Sequence, residues 1–435
     1  MEERKRAGSP ARQVAMIEEK RSIISCIVIV FFAVLCVGVS SCAISVKTDP
    51  EASVETTTIE SEDTAFPSEV QINPDASGSL ERSKQIQKYL NSVEYNGAVL
   101  VQTENEVIFE GAYGFADHKN LSENQIGTVF EIGSITKQFT AVAIMMLAEQ
   151  GKLSLDDTLA SYIPDYPRAD EITILNLLNM TSGIPDYITC GALGLSYHDI
   201  EEASPEMIDE ITEIVGREYS REEIIRKISD YELLFEPGDD SFYSNTNYFF
   251  LGIILEKISG TTFFDFVETN FFVPLEMKNS SADSRDISSS GIFRIANGRV
   301  YLPHTDRSLS FSAGSICSDI RDLLLWENAL MEGRFLSPSG WDSVFDPGAF
   351  NYGFGWRING DYYYHGGQTA GYNTFVLIEP SSATVIIALS NIQGTDGYFS
   401  EGVVRSDQVG FEIYSIMQHS DTEKINENRG YEPDA

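Results

Sequence analysis

The chain has 435 residues, 66 acidic against 30 basic side chains, and a formal net charge of −36. That balance excludes nucleic acid as a partner and adsorption to anionic lipid headgroups, and it suits solubility in an external milieu. Cys26, Cys36 and Cys42 lie in or beside an N-terminal apolar segment, which leaves Cys190 and Cys317; these two can pair but make no disulfide framework, and with no Cys/His cluster at metal spacing neither a metal nor a cofactor is assigned.

Ile23 to Val39 is an almost unbroken apolar run behind Lys20-Arg21. At about 17 residues it is short for a spanning helix but adequate for a signal segment. It ends at Val39-Ser40-Ser41-Cys42, which resembles a bacterial lipoprotein processing site and would leave Cys42 as the lipid-bearing residue. The rival reading is an uncleaved anchor over residues 22–46. Either way residues 1–46 form a signal or anchor segment. Arg4, Lys5, Arg6, Lys20 and Arg21 lie on the side that the positive-inside rule keeps in the cytoplasm, so the rest of the chain is expected outside the cell membrane. Residues 47–82, rich in Thr, Ser, Glu, Asp and Pro and without a hydrophobic period, read as a disordered acidic linker. Residues 419–435 read as a polar tail. Between them, residues 83–418 are ample for one large core.

A hairpin is readable at the start of that domain: Gly97 to Gln102, a polar turn at Thr103 to Glu106, then Val107 to Gly114. The next feature is Ser134-Ile135-Thr136-Lys137, ahead of the apolar run Phe139 to Leu147 and an expected helix stop at Gly151. On a helix Ser134 and Lys137 fall one turn apart on one face. A serine hydroxyl becomes a nucleophile when a nearby base takes its proton, and a lysine can be that base if burial keeps its amine partly neutral. Alone, the same residues also read as a capped core helix with a solvated lysine.

Residues Ile188 to Leu234 read as a helical elaboration, with helices over Pro205–Val215 and Arg221–Ile228. Tyr243-Ser244-Asn245 follows the turn signal Phe235-Glu236-Pro237-Gly238 and precedes an apolar helix, Tyr248 to Ile258. A phenol there can pass a proton, and an Asn amide can hold both an amine and a substrate carbonyl. Tyr89-Leu90-Asn91 has the same pattern on what looks like an ordinary amphipathic helix. Further on, His365-Gly366-Gly367 ends an aromatic strand-like run, Tyr362 to Tyr364. Its glycines permit close approach to a strand backbone, and the Gln368 N–H can join the Ser134 N–H as an oxyanion hole. Alone, His-Gly-Gly reads as a tight turn with an exposed imidazole. Tyr372 to Ile378 and Thr384 to Ser390 flank the turn Glu379-Pro380-Ser381-Ser382, and a closing helix is expected from Ser400 to Met417. Strands from both ends of the domain with helices between them predict an α+β fold with an antiparallel sheet.

The three motifs occur in order, and their flanks carry more information than they do. Phe130 to Thr140, Leu177-Leu178-Asn179-Met180-Thr181-Ser182-Gly183-Ile184-Pro185-Asp186-Tyr187, Pro237-Gly238 through Tyr248, Val273 to Met277 and Ser312 to Ile316 together resemble the class C β-lactamase-like serine hydrolases. That family includes D-alanyl-D-alanine carboxypeptidases, D-aminopeptidases and esterases. The resemblance implies an antiparallel sheet covered by helices beside a mostly helical subdomain, with the nucleophile at their junction. By resemblance Ser134 is acylated, Lys137 takes or relays its proton, Tyr243 serves as base and then acid, and Asn245 orients Lys137 and substrate. His365, Gly366, Gly367 and Gln368 fall where the family contacts substrate. Many members carry Lys-Thr-Gly there, so His365 and Gly366 lack the cation and hydroxyl that engage a substrate carboxylate. The implied activity is hydrolysis of an ester or amide in a D-amino-acid peptide, β-lactam, peptidoglycan-derived stem or small ester. The rival from another class is a catalytically weak binding or sensing module that keeps the fold. Tyr187, Tyr197, Phe242, Tyr248, Tyr352 and Tyr372 are candidates to line an acyl pocket.

Overall fold

The computed structural model describes residues 68–72, 79–190, 192–193, 212–282, 287–295, 298–301, 304–394 and 404–418. The apolar segment Ile23 to Val39, Cys42 and the tail lie outside them. Among the described residues no helix is long and apolar enough to cross a membrane.

The expected linker is too long at its C-terminal end. Ser68–Ile72 form a strand, β1, and the helix α1 begins at Ser79 and runs to Ser92. The reason is local: Val70 and Ile72 alternate with polar residues, and β1 pairs antiparallel with an otherwise unpaired strand edge at Ile72↔Phe109 through Ser68↔Tyr113. Tyr89-Leu90-Asn91 lies on α1, as the amphipathic pattern implied.

The expected hairpin is present as β2 (Gly97–Thr103) and β3 (Glu106–Tyr113). The SxxK segment opens the buried helix α2 (Thr136–Glu149), and the YxN segment opens α3 (Asn245–Ser259). Helix α4 (Ile320–Met331) precedes the C-terminal strands β4 (Arg357–Asn359), β5 (Tyr362–Thr369), β6 (Tyr372–Glu379) and β7 (Thr384–Ser390), and α5 (Ser406–Gln418) follows. The closing helix starts later than expected, since residues 404–405 are not helical. Helix Arg221–Ile228 is where the pattern placed it. Of Pro205–Val215 only the last residues are described, and 212–216 are helical.

Seven strands form one antiparallel sheet in the order β1-β3-β2-β7-β6-β5-β4. Its centre is the pairing of β2 with β7, Gly97↔Ser390 through Gln102↔Val385, which joins the two ends of the domain. Strand periodicity sorts the side chains. Val99, Val101, Phe375, Leu377, Ile386 and Ala388 face α1 and α5, where they meet Ile86, Leu90, Val409 and Ile413. Ala98, Leu100, Val376, Ile378, Ile387 and Leu389 face the larger core with α2, α3 and α4. Both sheet faces are therefore covered, which is why β7 is buried along its whole length. On the larger side Phe139 of α2 stacks on Trp326 of α4 with ring centroids 3.9 Å apart, worth about 1 kcal/mol beyond the area it buries. That packing fixes the helix that carries the SxxK motif. Cys190 and Cys317 are not joined by a disulfide.

Candidate active site

The site begins with a turn. Gly133 has φ +54° and leads a short 3-10 turn, Gly133–Ile135, into α2. A Cβ on Gly133 would lie 2.7 Å from the Gln368 amide nitrogen, so only glycine lets the turn approach β5 this closely. Gly367 is needed for the same reason, because a Cβ there would sit 2.0 Å from the Ile132 carbonyl oxygen. Gly366 has no such demand; its nearest obstacle, the Thr374 carbonyl oxygen, is 3.5 Å away. Strand β5 runs on through the glycines to Thr369 instead of ending at Tyr364. It continues because His365 to Thr369 pair with Val376 to Tyr372 of β6, while β4 covers only Tyr362 to Tyr364. The uncovered edge of β5 is thus presented beside Ser134.

Ser134 is half-buried, and one turn on Lys137 is wholly buried. The Lys137 Nζ has three acceptors: Ser134 Oγ at 2.8 Å, Asn245 Oδ1 at 2.7 Å and the Ala313 carbonyl at 2.7 Å. As an ammonium it donates to all three. As a neutral amine it can donate to Asn245 and Ala313 and offer its lone pair to the Ser134 hydroxyl. Burial pushes the amine down to about 7, with the Asp186 charge opposing.

Tyr243 stands over this group. Its ring centroid is 5.0 Å from Lys137 Nζ, and its hydroxyl oxygen is enclosed without a hydrogen-bond partner of ordinary geometry. Burial raises the phenol above its usual value, while Ser134 and the Arg357 guanidinium pull it back. Asn245 is placed by α3, whose first turn is locked to the Thr181–Tyr187 loop. Ser182 Oγ donates to Asn247 Oδ1 at 2.5 Å, Thr246 Oγ1 donates to the Pro185 carbonyl at 2.6 Å, and the Asn245 N–H donates to Asp186 Oδ2 at 2.5 Å.

His365 is buried in β5 and is not an exposed turn imidazole. Its Nδ1 lies 2.6 Å from the Gly366 carbonyl, an acceptor only, so Nδ1 carries the proton and Nε2 accepts from the Tyr352 hydroxyl at 3.1 Å. Both nitrogens are engaged, and the ring offers substrate no polar atom in this state. Burial, reinforced by Lys137 and Arg357, holds the imidazole down to about 3, so it is neutral. The cation missing from the third motif stands nearby. Arg357 is exposed, its Cζ lies 5.6 Å from the Tyr243 ring centroid, and among the described residues no carboxylate pairs with it.

The aromatic pocket expected from the sequence is mostly core. Tyr187, Tyr248 and Tyr372 are buried and donate to the carbonyls of Leu309, Leu178 and Ser289. Phe242 is exposed and Tyr197 lies outside the described residues. Tyr352 meets the site edge-on to the Tyr243 ring at 6.0 Å, and the buried Tyr248 ring comes within 5.8 Å of Lys137 Nζ. Asp186, Ala313 and Arg357 had no role in the sequence reading, although the first two fall within the stretches that carried the family resemblance.

The model of the Beta-lactamase family matches residues 84–409. Penicillin-binding protein 4* of Bacillus subtilis is 28% identical over 325 residues, 68% of this chain and 68% of that protein. The structure of a penicillin binding protein from Bacillus halodurans superposes with a TM-score of 0.61 at 24% identity, covering 76% of this chain and 98% of the other. That of D-amino acid amidase from Ochrobactrum anthropi SV3 does so with a TM-score of 0.64 at 21% identity, covering 78% and 97%. The chain therefore belongs to the Beta-lactamase family and is a serine hydrolase of mixed α/β fold with a large antiparallel sheet.

Proposed function

We propose that this chain is a membrane-anchored, extracytoplasmic hydrolase that cleaves an ester or amide through an acyl-enzyme on Ser134. The observation that carries the reading is the 2.8 Å contact between Ser134 Oγ and a buried Lys137 amine whose pKa is lowered to about 7. Neutral Lys137 takes the Ser134 proton as Oγ attacks the substrate carbonyl. The resulting oxyanion is met by the N–H groups of Ser134 and Gln368. The proton passes by way of the Tyr243 hydroxyl to the leaving nitrogen or oxygen as its bond to the carbonyl carbon breaks. Water then repeats the sequence on the acyl ester and frees Ser134.

The exposed Arg357 beside Tyr243 supports substrates with a carboxylate near the scissile bond, in the class of D-amino-acid peptides or β-lactams. The names of the relatives, a penicillin-binding protein and a D-amino acid amidase, point the same way. The apolar run at Ile23 to Val39 and the motif ending in Cys42 support an anchor, lipid-bearing or uncleaved.

The test is time-resolved intact mass with penicillin, a D-alanyl-D-alanine peptide or an activated short-chain ester, with peptide mapping of any adduct. An acyl adduct on Ser134, absent in Ser134→Ala, is expected with at least one of them. Labelling that survives in Ser134→Ala, or neither adduct nor product from any of the three, overturns the acyl-enzyme reading.

A further inference from the structure

Asp186 is a buried carboxylate with an unusual number of donors. Oδ1 accepts the backbone N–H groups of Ile188 at 3.0 Å and Thr189 at 2.9 Å and the Thr189 hydroxyl at 3.1 Å. Oδ2 accepts the N–H of Asn245, the first residue of the 15-residue helix α3. Ser244, the residue before the helix, makes no side-chain cap of its own. A carboxylate from another segment thus caps the helix and sits at the positive end of its dipole. The residue it caps is the one whose side chain receives Lys137 Nζ.

We propose that Asp186 is a positioning residue for the hydrolytic reaction: its carboxylate pins the first turn of α3 so that Asn245 and Lys137 keep their relative place, and it sets a fixed negative charge beside the amine. The inference rests on the assignment of Ser134 and Lys137 given above. The loop and the helix reach the site from different parts of the chain, and the Asp186–Asn245 contact is where the polarity of one meets the base held by the other.

The other charged and titratable groups around Lys137 are known. Ser134 comes from its own turn, and Tyr243 and Tyr248 come from the approach to α3 and its first turn, with Lys137 Nζ 5.0 and 5.8 Å from their ring centroids. His365 of β5 is neutral, and Arg357 of β4 acts on Tyr243 and His365. Among the described residues Asp186 is the anion that acts on the amine, opposing the burial that drives it toward neutrality. Without that charge the amine would hold its proton less well, so the protein would stay active to lower pH while its base was weaker.

The experiment is the pH dependence of kcat/KM for an activated ester in wild type, Asp186→Asn and Asp186→Glu. Asp186→Asn can still accept one N–H but carries no charge. Its acidic limb is expected to move down by about half a pH unit or more, with a lower plateau. Asp186→Glu keeps the charge and is expected to restore the limb, with kcat reduced by the altered reach. A limb in Asp186→Asn that coincides with wild type overturns the inference, even if kcat falls, because a purely structural cap would give that result. Loss of folding in both variants also overturns it, by making Asp186 a residue of fold stability alone. An inactive wild type refutes the hydrolase reading instead, so the two failures are distinct.

Discussion

The Gly366 carbonyl oxygen lies 2.6 Å from His365 Nδ1, and because a carbonyl can only accept, this contact decides which tautomer the third motif presents. Nε2 is then left to accept from the Tyr352 hydroxyl, so the ring is a satisfied strand residue and has no free nitrogen with which to act as a base. Tyr352→Phe leaves Nε2 buried without a donor, and denaturant titration is expected to show a loss of about 1–3 kcal/mol. The acidic limb of the rate profile is expected to stay near pH 7 in this variant, because that limb belongs to Lys137. A limb that follows the His365 environment would assign the proton transfer wrongly.

The Lys137 amine makes stability depend on pH with a definite sign. Below about pH 7 it is protonated in the folded and the unfolded chain alike. Between about 7 and its ordinary value near 10.5 only the unfolded chain keeps the proton, so the folded state gains about 1.4 kcal/mol for each pH unit as pH rises through that window. Unfolding curves of wild type and Lys137→Met at pH 7, 8 and 9 isolate the effect, since other groups cancel in the difference. Wild type is expected to gain on the variant with rising pH. A constant difference would mean that the amine is not depressed.

Gly133→Ala places a methyl group where the Gln368 amide nitrogen stands 2.7 Å away, at a backbone angle that alanine tolerates poorly. Turn and strand must separate, which misplaces the paired N–H groups of Ser134 and Gln368. A fall in kcat of roughly 100-fold is expected, with KM little changed, as for loss of one oxyanion donor. Steady-state kinetics together with the affinity of a boronic-acid analogue provide the check. Full activity would remove Gln368 from the oxyanion hole.

Arg357→Gln tests the source of charge recognition. The kcat/KM for a peptide ending in a free carboxylate is expected to fall about 10- to 100-fold, the usual worth of a charge-assisted hydrogen bond. The neutral methyl ester of the same peptide is expected to change by about twofold or less. Equal losses on both substrates would show that Arg357 acts through the Tyr243 ring and not on the carboxylate.

Residues whose own chemistry marks them were legible in the sequence. Ser134, Lys137, Tyr243 and Asn245 converge as their types and order implied, and the pairing of β2 with the C-terminal strands follows from runs such as Gly97–Gln102 and Thr384–Ser390. The partners that act through position were not legible. Ala313 contributes a carbonyl that any residue would carry. Arg357 reaches Tyr243 only because a short strand folds back on β5. Asp186 caps a helix that begins 59 positions later. Strand β1 was hidden because its sequence, Ser-Glu-Val-Gln-Ile, is polar enough to pass as linker until β3 offers it an edge.

The joining of β2 to β7 has a consequence for biosynthesis. Ser390 Oγ donates to the Asn96 carbonyl across 294 positions of chain, so the middle of the sheet cannot form until its last strand has left the ribosome. Ser134 and Lys137 are made early, whereas the strand that carries Gln368 is made late. A nascent or truncated chain that ends before β5 therefore carries Ser134 and Lys137 without the Gln368 amide that the folded domain sets beside the Gly133 turn.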